Sequence, residues 1–202
     1  MNSDISRVLE RLESQSQLEK ARKVDVPPED RMLAITKETG ELLNMILRLK
    51  NAKNVLEIGM STGYSTIWCA EAILEEQGQI ITIEQNPSKI TRAEKNFEDA
   101  KVANNITIKQ GTARDILSKL NQEYNEFFDF VLIDADKENV IEYFDSVLPM
   151  VSAGGVIITD NMLYPEKYKE HMAKYAKHIK KYQNVRTITS PIGNGEEITI
   201  KL

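Results

Sequence analysis

The feature that most constrains this chain is a succession of short, continuous apolar runs set between helical stretches. Val55-Leu56-Glu57-Ile58, Ile80-Ile81-Thr82-Ile83 and Ile106-Thr107-Ile108 come first, then Phe130-Val131-Leu132-Ile133 and Val156-Ile157-Ile158-Thr159. A strand with one wet face alternates apolar and polar residues. A run that is apolar throughout is buried on both faces, which is how parallel strands read. Between the runs lie stretches of helical composition such as Ser88 to Val102 and Glu138 to Val151. That alternation predicts βαβ units and an α/β fold with helices on both faces of the sheet. The end departs from it. A polar helix is predicted from Pro165 to Tyr182, then a run Val185 to Thr189, a turn at Gly193-Asn194-Gly195 and a last run Ile198 to Ile200. Two strands joined by a glycine-rich turn make a hairpin, so one terminal strand should be antiparallel.

Ahead of this pattern, Ile5, Val8, Leu9 and Leu12 recur at three- and four-residue spacing, one apolar helix face. Val26-Pro27-Pro28-Glu29-Asp30 interrupts it, and Thr36 is placed to cap a helix carrying Leu42, Leu43, Ile46 and Leu47. At 202 residues we expect a single domain, 1–202, with 1–50 as an N-terminal helical cap and 51–202 as the core. The one cysteine, Cys69, excludes a disulfide scaffold and a cysteine-based zinc cluster. A net charge of -5 argues against a general nucleic-acid coat. No secretory leader or membrane span is legible, so we expect a cytoplasmic protein that does not engage membranes.

In open α/β sheets ligands bind beyond the carboxyl ends of the strands. The first such end reads Glu57-Ile58-Gly59-Met60-Ser61-Thr62-Gly63-Tyr64-Ser65. A dinucleotide fingerprint would need a second glycine where Ser61 stands, which disfavours an NAD-dependent oxidoreductase. Gly59-Met60-Ser61-Thr62-Gly63 also fits the G-x-S-x-G elbow of hydrolases. That reading needs a late-loop histidine, and His171 and His178 both fall in the polar helix. An acid on the strand followed by Gly-x-x-x-Gly suits S-adenosylmethionine instead. Glu57 and the loop backbone would meet its methionine part, and Glu84, ending the second strand, would accept from its ribose hydroxyls.

Asp134 follows the fourth run, and Asp160 with Asn161 follows the fifth. Consecutive strands joined by a helix are usually neighbours, so these three should meet. Hard oxygens of that kind suit Mg²⁺, or another divalent cation such as Ca²⁺ or Mn²⁺. Beside such a cation the charged form of Lys137 would be disfavoured, which fits it for general-base work. The bland alternatives are that Asp136 and Asp160 only cap helices and that Lys137 is solvated.

These residues together resemble the class I, S-adenosylmethionine-dependent, metal-dependent O-methyltransferases of the catechol and caffeoyl-CoA type. Val55 to Gly59 with Thr62 to Ser65 resembles the family's cofactor loop, and Phe128 to Asn139 its most diagnostic block. Gly154 to Leu163 and Pro191 to Gly195 resemble its later blocks. The resemblance implies a Rossmann-like seven-stranded sheet of order 3-2-1-4-5-7-6 with the last strand antiparallel. It implies Asp134, Asp160 and Asn161 as metal ligands and Lys137 as catalytic base. It implies cofactor contacts from Ala34, Ile35, Glu57, Gly59, Ser61, Gly63, Ser65, Glu84, Ala113, Asp134 and Asp136. A homodimer is also implied. Asn194 stands where the family commonly has Asp, and Tyr164-Pro165-Glu166 replaces a substrate loop, which points to a shortened or open acceptor pocket. The expected acceptor is a small catechol-like molecule with two neighbouring oxygens. Hydroxylated uridine in transfer RNA is the alternative, for which Lys174, Lys177, His178, Lys180 and Lys181 would form a basic stripe.

Overall fold

The computed structural model describes residues 2–202. Its strands are β1 (Asn54–Ile58), β2 (Gln79–Glu84), β3 (Ile106–Gln110), β4 (Phe128–Ile133), β5 (Val151–Thr159), β6 (Val185–Ser190) and β7 (Glu196–Lys201). They form one seven-stranded sheet in the order β3-β2-β1-β4-β5-β7-β6. All pairings are parallel except those of β7, which runs antiparallel to both β5 and β6. The order and the odd strand are those expected.

Successive strand residues serve opposite cores, which is why the runs are apolar throughout. Val55, Phe130, Leu132, Val156 and Ile158 enter one core. Helices α1 (Ser3–Lys20), α2 (Lys37–Lys50), α3 (Tyr64–Ile73) and α4 (Pro87–Asp99) cover that face. Leu56, Ile58, Val131, Ile133 and Ile157 enter the other core. There they meet α5 (Ala113–Glu123), α6 (Val140–Val147) and α7 (Lys169–Ile179). Thr36 caps α2 as predicted, accepting from the Thr39 N–H at 3.2 Å.

Two helices are shorter than their composition suggested. Pro149 lies in a 3₁₀ turn, Leu148–Met150, that ends the helical stretch after α6, and β5 already begins at Val151. Pro165 precedes a 3₁₀ turn, Glu166–Tyr168, so α7 starts only at Lys169 and stops at Ile179. Pro149 lacks the N–H that a continuing helix needs, and composition alone does not register this.

A buried carboxylate anchors the C-terminal end of α1. Glu19 accepts from the Met32 N–H at 2.6 Å, from Gln15 Nε2 at 2.8 Å and from Arg92 Nη2 at 2.6 Å. Burial pushes its carboxyl up, but these three donors and the arginine charge outweigh it and hold it below its ordinary value near 4.5. Glu19→Ala leaves three donors unmatched and is expected to cost roughly 3 kcal/mol, about 10 °C in melting temperature. A depressed carboxyl stabilises the fold fully above its unfolded value, and that contribution is lost as pH falls through the folded value. The melting-temperature gap between wild type and variant should therefore narrow on acidification from pH 7 to pH 3. A gap independent of pH would refute the charge pairing.

Candidate active site

The loop after β1 is tied to the tips of its two neighbouring strands. The N–H groups of Gly59 and Met60 both donate to the Ile83 carbonyl at 3.1 Å, and the Asp134 N–H donates to Ile58 at 2.9 Å. Gly59 has φ 98°, and a Cβ there would stand 2.0 Å from the Asp134 carbonyl oxygen. Only glycine lets these loops touch. Gly63, at φ 87°, precedes α3, and a Cβ would collide with the Phe97 ring at 2.4 Å. Glu84 clamps the loop from the next strand. Its Oε2 accepts the Ser61 N–H at 2.9 Å, and its Oε1 accepts those of Gln85 and Asn86. Ser61 Oγ accepts from the Leu33 N–H at 3.1 Å, which carries Ala34 and Ile35 to the loop.

Glu57 lies near the end of β1 beneath the loop. It is wholly buried, and its carboxylate accepts from Ser65 Oγ at 2.5 Å, Thr66 Oγ1 at 2.5 Å and Thr82 Oγ1 at 2.6 Å. Burial raises its carboxyl above the usual range despite those hydroxyls, and the Asp134 charge adds to the rise. Glu57 and the Ser65 hydroxyl are thus engaged with each other. They fix the start of α3 against β1 and β2, and they leave the loop backbone to face a ligand.

The acidic group forms where β4 and β5 end together. Ile133 pairs with Thr159 in register, and the Asp160 N–H donates to the Ile133 carbonyl at 3.1 Å. This puts Asp134 and Asp160 one residue beyond adjacent strand ends. Lys137 Nζ lies 3.1 Å from Asp134 Oδ1, with the lysine side chain 8% and the aspartate 16% exposed. Lys137 is therefore a buried, paired lysine and not a solvated one. Asn161 adopts φ 69°, a left-handed conformation that asparagine tolerates, and its N–H donates to Asp160 Oδ1. Asp136 accepts from Asn139 Nδ2 and from the Tyr143 hydroxyl, which orders the turn carrying Lys137. Ala113 opens α5 behind the Thr112 cap.

Glu196 is the residue that sequence reading missed. It is wholly buried at the start of β7, and its Oε1 accepts from Thr39 Oγ1 at 2.8 Å. Its carboxyl touches that of Asp160. Its Oε2 has no hydrogen-bond partner. Burial drives both carboxyls above the ordinary range, and neighbouring negative charge adds to this: Asp134 for Asp160, and Asp160 for Glu196. The signal was present in the strand pattern. Glu196 shares the face of Ile198, which packs against a core, so an acid stands where an aliphatic residue belongs. Among the described residues, no three acidic, histidine or cysteine side chains already converge as a finished metal cage.

Other expectations fare differently. Neither histidine accompanies Ser61: His178 Nε2 bonds Asp145 Oδ1 at 2.6 Å, and His171 Nε2 is buried with no hydrogen-bond partner. The serine-hydrolase reading thus lacks its base. Of the predicted basic stripe, His178 pairs with Asp145, while Lys174, Lys177, Lys180 and Lys181 are exposed. Beyond Asn161, the N–H groups of Leu163 and Tyr164 donate to the Asn194 carbonyl at 2.9 and 3.1 Å. This pins the closing turn beside the site and leaves both side chains exposed. No helix of the described residues is long and apolar enough to cross a membrane.

A sequence profile described as O-methyltransferase matches residues 9–201. Catechol O-methyltransferase of Niastella koreensis is 38% identical over 131 residues, which is 65% of this chain and 59% of that protein. The matched region thus spans under two thirds of that relative's length. Caffeoyl-CoA O-methyltransferase 1 of Arabidopsis thaliana is 30% identical over 181 residues, covering 81% of this chain and 70% of that one. Among solved structures, the O-methyltransferase from Bacillus cereus in complex with SAH superposes with a TM-score of 0.76 at 26% identity, covering 100% of this chain and 92% of that one. TomG from Streptomyces achromogenes, an O-methyltransferase in complex with SAM, gives 0.79 at 26% identity, covering 100% and 90%.

Proposed function

This chain belongs to the O-methyltransferase family, and on that premise we propose that it transfers a methyl group from S-adenosylmethionine to a hydroxyl of a small acceptor bearing two neighbouring oxygens. The observation that carries the reading is the meeting of Lys137, Asp134 and Asp160 at the ends of β4 and β5, with the Gly59 loop against Asp134. The described chain acts as one unit in this reading, with the N-terminal helices and the sheet both contributing to the site.

The cofactor side is supported by the loop. Glu84, Ser61 and the Leu33-Ala34-Ile35 segment are already joined by hydrogen bonds around the β1 tip. Glu84 has taken three backbone N–H groups, yet a carboxylate offers about four lone-pair sites, which leaves capacity for a ribose hydroxyl. Asp136, Ala113 and Gly63 border the same rim of strand ends.

The residues present also fit a hard divalent cation, Mg²⁺ or a similar ion. Asp134 and Asp160 stand one residue beyond adjacent strand ends with Asn161 next in the chain, a set of hard oxygens of the kind such an ion takes. Asp134, Asp160 and Asn161 would hold the ion, which supplies Lewis acidity that eases loss of an acceptor hydroxyl proton. Lys137, held beside the site by Asp134, would be the group to receive that proton at Nζ. The remaining work is alignment of the acceptor oxygen with the methyl group and exclusion of water. Leu163 and Tyr164, exposed beside the closing turn, are placed to form one wall of an open acceptor site. We favour a small acceptor over transfer RNA because the relatives are named for catechol and caffeoyl-CoA.

Calorimetric titration of S-adenosylmethionine and of NAD, each in Mg²⁺ and again in EDTA, tests this directly. S-adenosylmethionine should bind and NAD should not. Turnover should then appear with catechols and depend on the cation. Binding of NAD alone would overturn the reading of the loop, and methylation of transfer RNA without any small-molecule turnover would overturn the acceptor class.

A further inference from the structure

Glu196 has no place in the ligand set drawn so far, yet its environment is that of a ligand. It is wholly buried, with one carboxylate oxygen engaged by Thr39 Oγ1 at 2.8 Å and the other without any donor. Asp160 is its neighbour across the sheet, one step beyond the Thr159–Glu197 pair. Two buried carboxylates held side by side repel each other, and a cation between them relieves that repulsion. The backbone leaves little freedom to separate them. Thr159 pairs with Glu197 across the antiparallel β5–β7 ladder, so Asp160 and Glu196 are held side by side by the sheet. The turn before Glu196 is equally fixed, since a Cβ on Gly193 would stand 2.2 Å from Thr39 Oγ1.

We infer that Glu196 is a fourth protein oxygen of the divalent-cation site, completing Asp134, Asp160 and Asn161 from the β7 side. The inference rests on the cation reading above and extends it to a residue that reading does not need. Three carboxylates against the single charge of Lys137 leave the site strongly acidic, and four protein oxygens suit an ion that takes many oxygen ligands. Glu196 also ties the site to Thr39 near the start of α2, so the N-terminal region is coupled to cation binding through one hydrogen bond.

The test is calorimetric titration of Mn²⁺ alone, without cofactor or acceptor, into wild type, Glu196→Gln, Glu196→Leu and Asp160→Ala. Melting temperatures in EDTA and in saturating Mn²⁺ accompany each titration. Both Glu196 variants should bind Mn²⁺ at least about tenfold more weakly. Their melting temperatures in EDTA should equal or exceed that of wild type, because a like charge has been removed, while the Mn²⁺-induced rise shrinks. Glutamine retains an oxygen for Thr39, so Glu196→Gln decides the matter should the leucine variant not fold. Affinities within twofold of wild type in the Glu196 variants, with binding lost in Asp160→Ala, would overturn this inference and leave the cation reading standing. No Mn²⁺ binding by wild type would overturn both.

Discussion

Asp134→Ala should lose cation-dependent methyl transfer, with kcat falling by at least about a hundredfold, while S-adenosylmethionine still binds. The side chain has two tasks in the proposed site. It offers oxygens to the cation, and it holds Lys137 Nζ at 3.1 Å. Its backbone has a third task that the substitution spares. The Asp134 N–H remains bonded to Ile58, and the Asp134 carbonyl still lies against Gly59, so the loop proposed to face the cofactor keeps its shape. Binding and turnover should therefore separate cleanly. Titration of S-adenosylmethionine into the variant, beside rate measurements across a Mg²⁺ series and in EDTA, checks both halves. Full activity of Asp134→Ala in EDTA would sink the cation role.

Lys137→Ala should lower kcat by about 10²–10⁴, the usual contribution of a positioned general base. Part of that loss should return as pH is raised, because solvent hydroxide then does what Nζ did. The lysine is set for one position by its surroundings. It is 8% exposed, it is paired with Asp134, and its turn is braced by Asp136 through Asn139 and Tyr143. Lys137→Arg is the informative partner. Guanidinium keeps the charge and the ion pair but does not deprotonate in the working range. Arginine should rescue stability and leave kcat low. If arginine restores turnover, or if the alanine variant responds to pH no differently from wild type, Lys137 acts as a fixed charge and not as a base.

Much of the site was readable from residue order. The blocks at Gly59 to Ser65, Phe128 to Asn139 and Gly154 to Leu163 lie at strand ends, where the chain must turn. Turns demand particular residue types, so function and geometry leave a joint mark there. Glu57 reads as a ligand residue in the same string, because an acid on a strand next to a glycine loop is a cofactor signal. Its partners Ser65, Thr66 and Thr82 come from α3 and β2, and residue order does not show that these three hydroxyls converge on it. Glu196 was overlooked for the converse reason. It sits outside every recognisable block, and its importance lies in contact with Asp160 across a strand pairing.

The sequence by itself determined the kinds of elements, their succession, the buried parallel character of the sheet and the antiparallel end. These depend on apolar periodicity and turn chemistry, which act over a few neighbouring residues. Beyond the pairing of Asp134 with Asp160, tertiary structure decided which distant polar side chains meet. Thr39 and Glu196 are 157 residues apart, Arg92 and Glu19 are 73 apart, and His178 and Asp145 are 33 apart. Each pair forms because strand order and helix docking bring distant positions within about 3 Å, the range over which a hydrogen bond or ion pair acts. At that range a shift of one residue in register removes the partner altogether.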